Sequence, residues 1–259
     1  MGQKGRCLLK LAVANQKGGV GKTTLAFHLI HAWAEEGKRV LAVDMDPQGD
    51  LTSSLWSEDL PGTALVARVF EGKSPLPLEV NQGISLVAAE ISLSVHEKDL
   101  SLKNYFRLKT WLDSMGNQFD AVVVDCPPSL GLFTINALVA ARWVVAPVDV
   151  SFYSVRALED LLGSLEELKE IGEGARLLGI APFAFAPRQR ATRAVKELLE
   201  EEYGDLLFSW VIPSSARVRE ALILGKPVWK LRRDEQAVGE SFRRLALEIW
   251  KRACGGDRG

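Results

Sequence analysis

Short runs of apolar and β-branched residues alternate along the chain with longer segments in which apolar residues recur at helical spacing. The runs that predict strands are 8–14, 39–44, 84–88, 121–125, 143–147, 177–184 and 207–212. Several of them (LLKLAVA, RVLAVD, DAVVVD, WVVAPV) are apolar at successive positions and not at every second one. That pattern belongs to strands covered on both faces, as in a parallel sheet. Helical patterns fall between them, at 23–36, 93–114, 132–141, 155–171 and 191–203. Such alternation predicts an α/β fold with a doubly wound, mostly parallel sheet flanked by helices on both faces. With no internal repeat or low-complexity linker, residues 1–259 are expected to form a single domain. The stretch 57–82, richest in Pro and Gly, is expected to be a surface excursion with one short helix, and 255–259 a frayed tail.

Composition narrows the function classes. The chain has 47% hydrophobic and 25% charged residues, with a net charge of −1. This is ordinary for a globular protein and argues against wholesale wrapping of nucleic acid, while leaving room for a local basic patch. Three cysteines, Cys7, Cys126 and Cys254, lie far apart with no C-x-x-C pair. They indicate neither a disulfide framework nor a zinc site, and a reducing cytoplasm is expected. No apolar run approaches the roughly 18 residues of a membrane span, so no membrane partner is expected. Arg6 stands where a myristoylation signal needs Ser or Thr.

The strongest chemical signal is NQKGGVGKTT, residues 15–24, between a predicted strand and a predicted helix. A turn with Gly18, Gly19 and Gly21 lets the backbone take positive φ and come close to phosphates, and a helix N-terminus adds its dipole. Lys22 would neutralise β- and γ-phosphates and the Thr23 hydroxyl would sit on Mg²⁺. The ordinary phosphate-loop pattern needs Gly where Gln16 stands; here the turn is K-G-G-x-G-K-[ST], with Lys17 added.

Two further strand ends carry acids. VLAVDMDPQGD brings Asp44 and Asp46 to the C-terminal edge of the predicted sheet, where α/β folds bind ligands. One would hold the water shell of magnesium and the other orient an attacking water. DAVVVDCPPSLG ends in Asp125, in the form of a Walker B strand reaching Mg²⁺. Cys126 is expected to be a buried small residue and not a nucleophile, and Gly131 to give its loop freedom to move.

These motifs, with VVAPVDVSFYSVRALEDLL (144–162), VIPSSARVREALILGKPV (211–228) and SFRRLALEI (241–249), resemble the deviant Walker A ATPases, and within them the ParA/Soj partition proteins. The resemblance runs through essentially the whole chain. It implies ATP and Mg²⁺ as cofactors, with Lys17, Gly18, Gly19, Val20, Gly21, Lys22, Thr23 and Thr24 binding nucleotide, Thr24 by the α-phosphate. It implies Thr23, Asp125 and Asp44 at the metal, and Lys17, Asp46 and Asp44 in hydrolysis. It also implies an ATP-bound homodimer in which Lys17 crosses to the partner's phosphates; without the partner, Lys17 would point at solvent.

The resemblance further implies non-specific binding to double-stranded DNA, a ParB-like centromere-binding adaptor, and a nucleoid-associated protein. By position, the DNA contacts fall on Arg217 and Arg188, with Arg219 nearby. Basic clusters also hold Arg190, Arg193, Lys196, Lys226, Lys230, Arg232 and Arg233. The family commonly has a basic residue where Ser214 stands, so this surface departs from the pattern. Two relatives of this reading stay open: a MinD-like protein bound to membrane through the amphipathic closing segment, and a positioner of protein cargo. That closing segment is expected to pack back on the domain. A shared iron–sulfur cluster would need a second suitably placed cysteine. An amide ligase would need a small-molecule acid site, and no such constellation is found.

Overall fold

The computed structural model describes residues 8–99, 101–149, 152–185, 190–231 and 236–255. Eight strands form one sheet in the order β3-β4-β2-β5-β1-β6-β7-β8. They are β1 (Leu9–Val13), β2 (Val40–Asp44), β3 (Leu78–Asn81), β4 (Ile84–Val87), β5 (Ala121–Asp125), β6 (Trp143–Val148), β7 (Arg176–Phe185) and β8 (Ile212–Pro213). All neighbours pair in parallel except β3 with β4, a hairpin that supplies the antiparallel edge.

The α-helices are α1 (Lys22–Glu35), α2 (Asp50–Leu55), α3 (Ala67–Phe70), α4 (Arg107–Ser114), α5 (Leu132–Ala140), α6 (Phe152–Glu170), α7 (Arg190–Tyr203), α8 (Ala216–Ile223) and α9 (Gln236–Gly255). Side chains of α1, α2, α8 and α9 meet one face of the sheet, and those of α3, α4, α5 and α6 meet the other. Alternate residues of each central strand divide between the layers. Leu11 and Val13 enter one and Ala12 and Ala14 the other; Ala121 and Val123 enter one and Val122 and Val124 the other. This double burial is why these strands read as unbroken apolar runs.

The chain leaves β1 through α1 to one side, toward β2, and leaves β5 through α5 to the other, toward β6. The crevice between diverging connections at the C-terminal strand ends is where such sheets take ligands.

Three expectations are corrected. The single helix expected over 93–114 is two 3₁₀ segments, Ile91–Lys98 and Leu102–Phe106, followed by α4. Side chains compete with the helix there: Asp99 accepts from the Ser101 N–H, Asn104 donates to the Asp99 carbonyl, and Asn136 binds the Asn104 carbonyl and the Leu108 N–H. The stretch 57–82 is no mere surface excursion, since Ala64, Val66, Val69 and Phe70 are buried in the core and β3 lies within it. The strand expected at 207–212 shrinks to β8 plus an isolated bridge between Leu207 and Ile180.

The closing segment packs back as expected. Phe242, Leu245 and Ile249 of α9 are buried, and the Trp33 indole donates to the Ala246 carbonyl at 3.1 Å. Buried His28 of α1 stacks on Phe242 with centroids 3.9 Å apart. Among the described residues, no helix is long and apolar enough to cross a membrane. Cys126 is a free buried thiol and Cys254 is disulfide-bonded, a pairing that the wide spacing of the cysteines does not foretell.

Candidate nucleotide site

Strand register assembles the site. Val13 of β1, Asp125 of β5 and Asp44 of β2 are neighbours in register, so three strand ends stop side by side. The loop after β1 is anchored by Asn15, which accepts the Lys17 N–H at 2.9 Å and donates to the Pro147 carbonyl of β6 at 2.9 Å. Gly19 (φ 74°) and Gly21 (φ 97°) are left-handed. At Gly21 a Cβ would also lie 2.6 Å from the Phe183 ring, so both φ and space demand glycine. No side chain caps the N-terminus of α1, which leaves its N–H groups available to an anion.

Lys22, the first residue of α1, is 7% exposed and donates to the Lys17 carbonyl at 2.9 Å. Burial lowers its pKa, and the charges of Asp125 and Asp46 work the other way. Asp125 is wholly buried, and neither of its carboxylate oxygens has a hydrogen-bond partner. The Thr23 hydroxyl is close enough to favour the ionised form, yet makes no hydrogen bond of good geometry. Burial foremost, and then the charge of Asp44, raise the Asp125 pKa well above the usual carboxylate range.

An orphaned, dry carboxylate is what a native fold avoids unless a ligand completes it. The donor set of Asp125 and Thr23 fits a hard divalent cation sharing its shell with phosphate oxygens and water. Among the described residues, no group of three or more His, Cys, Asp or Glu stands ready to hold a metal without those phosphates.

Asp44 is equally buried but fully engaged. One oxygen accepts the Asp46 N–H at 3.0 Å; the other accepts the Thr52 N–H at 2.9 Å and its hydroxyl at 2.8 Å. Burial raises its pKa to about 7 against the pull of those donors. The Thr52 hydroxyl in turn accepts the Ala89 N–H, so Asp44 ties α2 to the sheet. Asp46 is half-buried and accepts the Gln48 N–H with one oxygen. Cys126 is buried and its pKa is pushed far up by burial, which leaves an inert thiol, as expected.

Lys17 differs from the expectation that it points at solvent. Its ammonium lies 2.7 Å from Asp149, just beyond the end of β6, and its side chain is 27% exposed. Neither Asn15, Thr52 nor Asp149 stood out in the sequence. Asp149 carried a readable sign, because, like Asp44 and Asp125, it follows an apolar strand. Val20 is buried, Gly18 lies against Pro128, and the Thr24 carbonyl accepts from His28.

Of the basic candidates, Arg217 and Arg219 belong to α8. Arg217, in the first turn of α8, pairs with Glu220, and its N–H is capped by Ser215. Arg219 is exposed, and Arg188 lies outside the described residues. Helix α8 packs against α1 and α2, and Gly225 just after it abuts the Ser54 carbonyl of α2.

Comparison with known proteins agrees with this geometry. A family model described as an AAA domain matches residues 9–175. The chain is 37% identical to the chromosome-partitioning ATPase Soj of Thermus thermophilus over 246 residues, covering 94% of this chain and 96% of that protein. A solved cobyrinic acid a,c-diamide synthase of Mycobacterium smegmatis, with bound ADP and magnesium, superposes with a TM-score of 0.79 at 31% identity, covering 94% and 96% of the two chains. An McdA–ATP complex from Cyanothece shares the fold with a TM-score of 0.85 at 24% identity, over 97% and 98% of the chains. Similarity of this extent, on a sheet of this order, makes the chain a member of the ParA/MinD superfamily of partition ATPases.

Proposed function

We propose that ATP converts the chain into a face-to-face dimer that binds DNA without sequence preference, and that a ParB-like adaptor ends this state by stimulating hydrolysis. The observation that carries the reading is the presence of two lysines on one loop with separate duties. Lys22 is buried at its own helix N-terminus, beside Asp125, whereas the Lys17 ammonium pairs with Asp149. A lysine paired with Asp149 could exchange that partner for the phosphates of a second subunit.

In this reading Lys22 and the N–H groups of Gly18, Gly19, Val20 and Gly21 hold the phosphates, with Thr24 by the α-phosphate. Thr23 and Asp125 hold Mg²⁺, which neutralises phosphate charge when bound. Asp46 serves hydrolysis. Asp44 supports it by fixing the Asp46 backbone and α2; its saturated oxygens favour that role over direct metal contact. Lys17 adds positive charge where the partner's transferred phosphoryl group becomes more negative.

The DNA surface is assigned to Arg217, Arg188 and Arg219. Asp44, Thr52, α2 and the Gly225 turn form a packed path from the nucleotide edge to α8. The buried apolar stripe of α9 weighs against membrane attachment. An amide synthase, as the Mycobacterium smegmatis protein is named, would show ATP turnover that depends on an acid substrate and an amide donor.

The test is a gel shift on unrelated duplexes, with and without ATP. Retention on every sequence, dependent on ATP and weakened by salt, is expected. Arg217→Ala should lower affinity uniformly and reduce the salt slope by about one unit. Binding that ignores ATP, or that selects one sequence, would reject the reading.

A further inference from the structure

We propose that Asp149 is a restraining residue that holds Lys17 within its own chain and sets the threshold for ATP-driven dimerisation. The inference rests on the trans-acting role of Lys17 given above. Strands β1 and β6 pair in parallel, so the loops that follow them emerge side by side. Asn15 joins those loops through the Pro147 carbonyl and fixes the Lys17 N–H. The backbone of Lys17 is therefore set, and only its side chain is left to swing. That side chain is engaged with the Asp149 carboxylate, both partners being about a quarter exposed at 27% and 23%.

An ammonium cannot sit on Asp149 of its own chain and also on phosphates of a second chain. Dimerisation through Lys17 therefore requires exchange of one anion for another, in both subunits. A partly exposed ion pair of this kind is worth a factor of about two to five in an equilibrium. Two such pairs are released per dimer, so the product is a factor of about four to twenty-five. The effect is a brake. Lone chains keep Lys17 away from any phosphate, and turnover begins only when protein and ATP together outcompete Asp149.

The experiment compares wild type with Asp149→Asn by sedimentation against protein concentration, using full-length chain and a non-hydrolysed ATP analogue with Mg²⁺. The dimer Kd is expected to fall by about four- to twenty-five-fold, with ATP affinity of the monomer unchanged. Basal turnover at low protein concentration should rise in step. Asp149→Glu should restore the wild-type threshold. In a Lys17→Ala background the Asn substitution should do nothing, which a merely structural role for Asp149 would not produce. Dimerisation unchanged or weakened by Asp149→Asn, with a cooperative melt retained, would overturn the restraint, as would an effect that persists without Lys17. Asp149→Ser supplies a second neutral replacement should the Asn variant fail to melt cooperatively. Wild type that never dimerises with ATP would reject the trans-lysine reading itself; a wild-type dimer that Asp149→Asn does not tighten rejects the restraint alone.

Discussion

The two ends of α1 carry similar charges in opposite circumstances. At the N-terminal end, Lys22 and Asp125 are buried, and the carboxylate oxygens of Asp125 have no hydrogen-bond partner. At the other end, Glu35 is met by Lys230 at 2.6 Å, Arg243 at 3.2 Å and the Trp229 indole at 3.0 Å. Burial opposes ionisation of Glu35, but the hydrogen bonds from Lys230 and Trp229 and the charges of Lys230 and Arg243 outweigh it, and its pKa falls. Neighbouring side chains satisfy one end; at the other, no described residue hydrogen-bonds the Asp125 carboxylate. The lesson is that a binding site is marked by charge the fold leaves uncompensated, more than by the density of charge.

That contrast sets the expected sizes of several effects. The largest should come from Lys22→Ala, which removes the buried cation. ATP affinity, titrated with a fluorescent analogue, should fall about 100-fold, the scale of a lost hydrogen bond to a charged group. Retained affinity would mean that the N–H groups of the loop suffice.

Next comes Asp125→Asn, where function and stability should part. Mg²⁺-dependent turnover should be lost, while the chain without nucleotide should gain about 1–3 kcal/mol because an uncompensated buried charge is gone. The sign depends on pH. A carboxyl whose folded pKa lies above its unfolded value of 3.8 contributes stability below that value and loses it as pH rises through the folded pKa. The Asn variant should therefore melt higher than wild type at pH 7.5 and no higher near pH 4. A gain that is equal at both pH values would show that Asp125 is not the group under tension.

The same variant sharpens a third measurement. His28 is buried with its Nδ1 donating to the Thr24 carbonyl and its Nε2 accepting the Val228 N–H, which makes it the neutral tautomer. Burial lowers the pKa of His28 to about 3 and that of His31 to about 4. Their contribution is present above the unfolded value of 6.5 and is lost as pH falls through the folded values. In wild type the buried carboxyls offset this trend. In Asp125→Asn, Asp44 still offsets about one of the two imidazoles, so stability between about pH 6.5 and 4 should fall by up to about 1.4 kcal/mol per pH unit in all. Calorimetry across that range would detect it, and a flat profile would mean that the imidazoles charge freely.

The smallest effect belongs to the satisfied end. Glu35→Gln should cost less than about 1 kcal/mol, since its partners are half-exposed and solvent can replace it. A larger loss in a urea melt would erase the distinction between the two ends.

Much of this was decided by local pattern. The runs ending at Asp44 and Asp125 are strands because both faces are apolar, and the glycines of 15–24 require a turn. The phosphate loop, its Lys22 and Thr23, and the two acidic strand ends follow from such short-range rules, which is why they were found without a fold. The alternation of strands and helices likewise specified a doubly wound sheet, because only helices on both faces cover such strands.

What only the tertiary structure decided depends on partners distant in sequence. Asp44 and Asp125 look alike as strand ends, yet Thr52 satisfies the first and no described residue hydrogen-bonds the second. The helical pattern at 93–114 gave way because Asn136, from another helix, took the Asn104 carbonyl. The apolar stripe of α9 is core because α1 lies beneath it. Lys17 is engaged because β6 carries Asp149, 132 residues away, to its side. Periodicity and turn chemistry act over a few residues and are written in the chain. Which buried charge finds a partner is set by strand register and packing, and those exist only once the sheet has formed.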